Sequence, residues 1–358
     1  MEGDHWPHGS CDGAGRNLAR LRTRASEFFE SLSVAELVRQ AHRHLWISDW
    51  MRIADDYRTF AETAREDRST LIALEAWLCS LTAVEVARSL SCPGDFATDD
   101  LVEKVGVSLK GFKDDAGPAI ERVKIDGFDQ GELTGFFLPA CHGSLAPVVL
   151  CIGDEDIMQG SMMSRLLPAS LRRNMSLLLI DVGNSSARLP LKPAHILQCW
   201  LDYLEARGDI DPRRIAVYGE GAGASHASRL AVLDRRIAAA VCDGGIMTPV
   251  MRRASLSRIA GAGQAVDSGA STALAPSRRI ACPLLVVVGS RSMVWEQDAL
   301  ELQAGYRQAG ADCSAVVPNC IPHPLGEVEN FVAVDDFTFA WLDSKLGAGR
   351  QLDPVTYL

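Results

Sequence analysis

Immediately after the apolar run Ile215-Ala216-Val217-Tyr218 the chain reads Gly219-Glu220-Gly221-Ala222-Gly223. This is the G-x-S-x-G spacing of a nucleophile elbow, in which a sharp strand-to-helix turn presents a central serine and the flanking glycines let neighbouring backbone pack close. The central position here is Gly221, so both packing glycines are present and the hydroxyl is missing. Placing Glu220 in the nucleophile slot would require glycines two residues to either side, and those positions are Tyr218 and Ala222. Acyl-enzyme formation is therefore excluded at residue 221. Proton transfer is not.

Three side chains could move or hold that proton. His323, in Asn319-Cys320-Ile321-Pro322-His323-Pro324, is the sole histidine beyond residue 226, and an imidazole titrating near pH 6.5 suits general acid–base work. It reads either as the working base or as a residue held by packing alone. Asp243, in Val241-Cys242-Asp243-Gly244-Gly245, either fixes the His323 tautomer or caps the two glycines after it. Glu220 either works as an acid or base in a dry cleft or forms a structural salt bridge, the reading its place beside the turn favours. Ser225 and His226 lie a turn into the following helix and read as packing residues; His142 and His195 read as surface residues.

The elements that must position these groups follow from periodicity. Residues 18–115 are helical in pattern, with Trp50, Ile53, Tyr57 and Phe60 at helical spacing and then Leu74, Trp77, Leu78 and Leu81, broken at Ser91-Cys92-Pro93-Gly94-Asp95. The aromatic residues Trp46, Trp50, Tyr57 and Trp77 are expected in the core of this unit, which could roof a cleft. Residues 120–125 and 133–138, joined at 127–131, read as an antiparallel hairpin. Strands at 148–152, 177–181, 215–218, 237–242, 284–288 and 314–317 then alternate with helices at 157–171, 194–207, 222–233, 296–309 and 328–346. Continuous apolar strands alternating with helices imply a parallel sheet covered on both faces. The expected division is a disordered tail at 1–17, a helical cap domain at 18–118, and an α/β domain at 119–358 with a lid-like insertion at 247–279.

Composition narrows the partners. The chain has 358 residues, 47% of them hydrophobic, and a net charge of −10, which repels phosphates and makes nucleic acid or an anionic membrane an unsuitable partner. A small-molecule substrate is expected, with room for a homodimer. Ten cysteines are scattered without a C-x-x-C pair, and they read as small buried hydrophobes in a reducing compartment. No apolar run is expected to reach the roughly 18–20 residues of a membrane helix, and the first residues lack the basic and apolar regions of a signal peptide, so a cytoplasmic protein is expected. Gly111, Gly117 and Gly261-Ala262-Gly263 do not form a dinucleotide-binding turn. Neither a cofactor nor a metal is expected.

Two antiparallel strands leading a six-stranded parallel run, with an elbow after the fifth strand, resemble the α/β-hydrolases. Residues 18–346 resemble the group related to 2,6-dihydroxypseudooxynicotine hydrolase and the fermentation-respiration switch proteins. The resemblance rests on the helical run before Glu121-Arg122-Val123, on Val148-Val149-Leu150-Cys151-Ile152-Gly153-Asp154, on Leu179-Ile180-Asp181-Val182-Gly183, and on the elbow. It implies a helical cap over a cleft, carbon–carbon or ester bond cleavage, and relatives that trim polyketide-like metabolites. It also places an oxyanion loop at Gly153 and Asp154, an oxyanion amide at Ala222, and the acid slot at Ser292, where the family has aspartate. Asp154, Glu155 and Asp156 would oppose a developing negative charge unless turned outward. With serine and acid both absent, the expectation is non-covalent acid–base chemistry: elimination, cyclisation, rearrangement, or cleavage. The alternative is an inactive pseudo-hydrolase serving as a binding or scaffold protein.

Overall fold

The computed structural model describes residues 16–91, 98–116, 120–126, 132–140, 145–153, 159–170, 173–180, 193–246, 280–323 and 326–347. The chain opens with α1 (Arg16–Ser31), α2 (Val34–Leu37), α3 (Gln40–Glu66), α4 (Thr70–Leu90) and α5 (Thr98–Ala116). In α4 the apolar residues run around the whole helix, and such a helix is stable only when surrounded; α3, α5 and the later helix α6 (Gln159–Ser170) enclose it. By length and composition α4 could cross a membrane, contrary to the sequence expectation, but 78% of its apolar window is buried inside the protein. It is a core helix. Its few polar groups are satisfied locally: Glu75 accepts from the Leu18 amide at 2.9 Å and the Ser80 hydroxyl donates to the Ala54 carbonyl at 2.9 Å.

Eight strands form one sheet in the order β1-β2-β4-β3-β5-β6-β7-β8. They are β1 (Glu121–Asp126), β2 (Glu132–Leu138), β3 (Ala146–Ile152), β4 (Ser176–Ile180), β5 (Ile210–Glu220), β6 (Ile237–Asp243), β7 (Leu284–Val287) and β8 (Cys313–Val316). β2 runs antiparallel to β1 and β4, and β4, β3, β5, β6, β7 and β8 are mutually parallel. Every residue of β3, β4 and β7 is buried, as expected of strands covered on both faces. On one face lie α7 (Pro193–Ala206), α8 (Gly223–Leu233) and α9 (Glu296–Gln308). On the other lie α6 and α10 (Phe331–Leu346), whose core is continuous with that of α1–α5. The first helices thus pack on the helices that cover the sheet. Arg22, 4% exposed, ties α1 to α10 by a fork onto Asp336 at 3.0 and 3.2 Å.

The expected hairpin and parallel strands are present, and β5 begins earlier than its apolar run, at Ile210. One stretch differs. Residues 320–324 read as a loop and 328–346 as a single helix; instead β9 (Cys320–His323) and β10 (Gly326–Glu329) pair antiparallel, and α10 begins only at Phe331, capped by the Asn330 side chain on the Ala333 amide. Four-residue strands are too short to show alternation, and Pro322 and Pro324 mask the pattern further. The expected tail through residue 15, the turn at 127–131, His142 and the insertion at 247–279 lie outside the described residues. Residues 16 and 17, also assigned to the tail, belong to α1.

Candidate active site at a serine-less elbow

β5 ends at Glu220, α8 begins at Gly223, and Gly221 with Ala222 make the turn between them. Gly221 has φ of +54°, in the left-handed region that costs other residues about 1–2 kcal/mol. The flanking glycines are required by contact. A Cβ on Gly219 would overlap the Gly223 carbonyl, and one on Gly223 would overlap the Ile152 carbonyl at the end of β3. Ile152 and Gly219 are register partners, which places Gly153 beside the first turn of α8. Ala222 is the N-cap of that helix, whose dipole favours negative charge at this end; the Ala224 amide turns back to the Gly221 carbonyl at 3.1 Å. Ser225 and His226 lie in its first turn.

The turn is braced from β6. The Gly221 amide donates to the Asp243 carbonyl at 2.7 Å, and Glu220 is the register partner of Asp243. Gly244, with φ of +135°, sits so close that its Cβ would lie 3.0 Å from the Gly221 Cα. Ser292, in the loop after β7, donates its hydroxyl to the Val294 carbonyl at 2.9 Å, with the Gly244 carbonyl 3.2 Å away. It is a turn-closing residue in that position. The β7 loop holds no acid there; the neighbouring Arg291 reaches inward.

Beneath the elbow lies a buried ion network that the sequence reading did not anticipate. Arg165 of α6, 3% exposed, contacts Glu220 Oε2 through Nη1 at 2.8 Å and Asp335 through Nε and Nη2 at 3.1 and 2.9 Å. Arg291 grips Asp243 Oδ2 through Nη2 and Nε at 2.8 and 3.1 Å and pairs with Glu329 Oε1 at 3.1 Å. The Tyr218 hydroxyl lies 2.7 Å from Asp243 Oδ2 and 3.1 Å from Glu220 Oε2; it has one proton, which the nearer carboxylate takes. Burial, then the charges of Asp243 and Glu220, push the Tyr218 hydroxyl well above its ordinary pKa. Burial also raises the Asp335 carboxyl, with Arg165 opposing it. The same burial works against the Arg165 cation, but Asp335 and Glu220 outweigh it and hold that guanidinium above its ordinary value.

These contacts revise the expected roles. Glu220, 0% exposed, has Oε2 committed to Arg165, with the Tyr218 hydroxyl 3.1 Å away, and its Oε1 is buried without a hydrogen-bond partner among the described residues. Asp243 does not cap Gly244 and Gly245, whose amides go to the Val287 and Cys242 carbonyls; its Oδ2 is taken by Tyr218 and Arg291. Its Oδ1 is buried without a hydrogen-bond partner among the described residues. His323 closes β9 opposite Gly326, and its side chain lies outside what is described. Asp154, Glu155 and Asp156 also lie outside the described residues. The missed residues left one signal in the sequence: Arg165 and Asp335 interrupt otherwise apolar helix faces.

The strand order and the elbow after β5 define an α/β-hydrolase superfamily member. The chain matches the model of the FrsA-like family, described as esterase FrsA-like, over residues 38–260, and it belongs to that family. Among solved structures it is similar to the 2,6-dihydroxy-pseudo-oxynicotine hydrolase, with 17% identity over 87% of this chain and 91% of that one and a TM-score of 0.53. It is also similar to the AtxE2 isopeptidase, 20% identical over 66% of this chain and 41% of that one (TM-score 0.48). The Pyrococcus furiosus esterase Pf2001 is 18% identical over 64% of this chain and 93% of that one (TM-score 0.46). At these identities the likeness is one of fold. None of the curated proteins matches the chain.

Two outcomes follow. Arg165→Met leaves Glu220 and Asp335 buried without their cation and is expected to cost about 3–5 kcal/mol in urea unfolding at pH 7. The deficit relative to wild type should shrink as the pH falls toward the carboxylate range, because protonation of the orphaned carboxyls removes the uncompensated charge; a deficit that grows with acid would contradict the network. Gly221→Ser should fold with a loss of about 1–2 kcal/mol, since serine must take a positive φ. It should hydrolyse 4-nitrophenyl acetate within about tenfold of wild type, as triad members act as a unit.

Proposed function

We propose that this esterase-family chain acts on a small metabolite by non-covalent acid–base chemistry at the elbow. The observation that carries the reading is Gly221: the turn keeps its strand, its helix, both packing glycines and its positive φ, and has no side chain to attack a substrate. Glu220 and Asp243 each have an oxygen engaged in the ion network, and the proton carrier in this reading is His323. In this reading His323 takes a proton from carbon next to a carbonyl, and the resulting enolate or alkoxide is steadied by amides near Gly153 and Ala222 at the start of α8. The outcome would be elimination, cyclisation, rearrangement, or carbon–carbon or ester cleavage, in specialised metabolism of polyketide-like compounds. The seven described cysteines are all free, in keeping with a cytoplasmic setting.

A second reading, a pseudo-hydrolase that binds a ligand without turning it over, is favoured by one observation: both carboxylates beside the elbow are already engaged by arginines, Glu220 by the buried Arg165 and Asp243 by the partly buried Arg291. Deuterium exchange separates the two. In D2O, wild-type protein is expected to speed exchange at the α-carbon of some members of a panel of aryl ketones and β-keto esters, as followed by NMR. His323→Ala should slow it by about 100- to 10,000-fold, the usual range for general acid–base catalysis. Exchange that survives His323→Ala and disappears in Glu220→Gln would make the glutamate the base. No exchange anywhere on the panel, together with saturable binding of one of its members, would favour the pseudo-hydrolase.

A further inference from the structure

The hairpin that carries His323 is a slight structure. β9 and β10 form four register pairs, from Cys320 with Glu329 at the base to His323 with Gly326 at the far end. A two-stranded ribbon of this size is not stable alone, so something must hold it. On one side it meets α2 and α4. On the side of the sheet its anchor is Glu329, whose carboxylate is buried and is clasped by the loop after β7. The Ser290 amide donates to Oε2 at 2.6 Å, and Arg291 Nη2 pairs with Oε1 at 3.1 Å. The loop has room for this only because residue 289 is glycine; a Cβ there would overlap Oε2. Arg291 then passes the connection on to Asp243 Oδ2, and the Asp243 backbone receives the Gly221 amide. One unbroken set of short contacts therefore runs from the base of the His323 hairpin to the apex of the elbow.

We infer that Glu329 and Arg291 are paired positioning residues that fix the His323 hairpin against the elbow. The inference rests on the reading that His323 is the working base. A carboxylate on the hairpin and a guanidinium on the β7 loop do this better than a neutral pair would. Arg291 grips Asp243 Oδ2 through Nε and Nη2, and the same Nη2 lies 3.1 Å from Glu329 Oε1 as an ion pair, so one guanidinium holds both carboxylates by charge. The other titratable and charged groups around the pair are Glu220, Arg165 and Asp335 beyond Asp243, the Cys320 thiol 3.8 Å from Glu329 Oε2, and the exposed Glu327 on the hairpin itself, and the test leaves them unaltered.

The test reads His323 directly and needs no turnover, so it fails or succeeds separately from the exchange experiment. The imidazole C2–H resonance of His323 in the full-length chain is assigned by its loss in His323→Asn and titrated by NMR. His323 lies three strand residues, about 10 Å, from the base of the hairpin. Across that distance in a partly screened setting, loss of one charge should move its midpoint by about half a pH unit. Glu329→Gln keeps the shape and removes a negative charge, so the midpoint is expected to fall. Arg291→Gln removes a positive charge, so it is expected to rise. Those opposite shifts show that the pair lies within electrostatic reach of His323; the positioning role is read in Glu329→Asp, which keeps the charge and shortens the hold on the hairpin. That variant serves also where Glu329→Gln does not fold; it is expected to displace the His323 resonance while leaving the midpoint near wild type. Variants that lower the melting temperature but leave the His323 resonance and midpoint at their wild-type values would overturn the inference and reduce the pair to a fold anchor.

Discussion

Arg165 leaves α6 with its guanidinium almost wholly removed from water, and three elements depend on where it sits. Glu220 at the end of β5 and Asp335 on α10 are bound to it directly, and Tyr218 stands between it and Asp243 at the end of β6. A buried cation is costly unless its partners surround it, and buried carboxylates are equally costly without it. Each group therefore holds the others in a single arrangement. The consequence falls on the elbow: its shoulder residue, Glu220, and its brace, Asp243, are pinned by charge below the turn, while Gly219, Gly223 and Gly244 pack it from the sides. The network contains two arginines and four carboxylates, Glu220, Asp243, Asp335 and Glu329, so it is rich in negative charge.

The elbow keeps the frame of its turn, and Gly221 at its apex has no side chain for that frame to present. The chain belongs to an esterase family, yet its turn carries Gly221, and the loop after β7 turns Ser292 back onto its own backbone. Arg291 occupies the space beside Ser292 and joins Asp243 to the His323 hairpin.

Much of this was legible in the sequence because it depends on periodicity and glycine. Six buried strands read as continuous apolar runs, the helices between them as amphipathic repeats, and the elbow as two glycines about a turn. What was not legible depends on contacts between residues far apart in the chain. Arg165 and Glu220 are separated by 55 residues and Arg165 and Asp335 by 170, and no local pattern couples them. The clue that existed was an arginine among Met162, Met163, Leu166 and Leu167, a charge where a helix faces the core. The hairpin at Cys320–His323 was hidden for a different reason: its strands are too short for alternation, and two prolines sit within or beside them. In α4 the error ran the other way, since interspersed Glu75, Ser80, Thr82 and Glu85 hid how continuously apolar the rest of the helix is. Ser164 satisfies one of those acids by donating to Glu85.

The central claim is that the esterase-type turn is kept while covalent catalysis is given up, and intact-mass analysis after treatment with a fluorophosphonate tests it most directly. Wild-type protein is expected to show no adduct at concentrations and times that fully label an ordinary serine hydrolase. Rapid, stoichiometric labelling of any serine, Ser225 or Ser292 above all, would contradict the account, because it would mean that an activated nucleophile exists and that Gly221 does not mark its position.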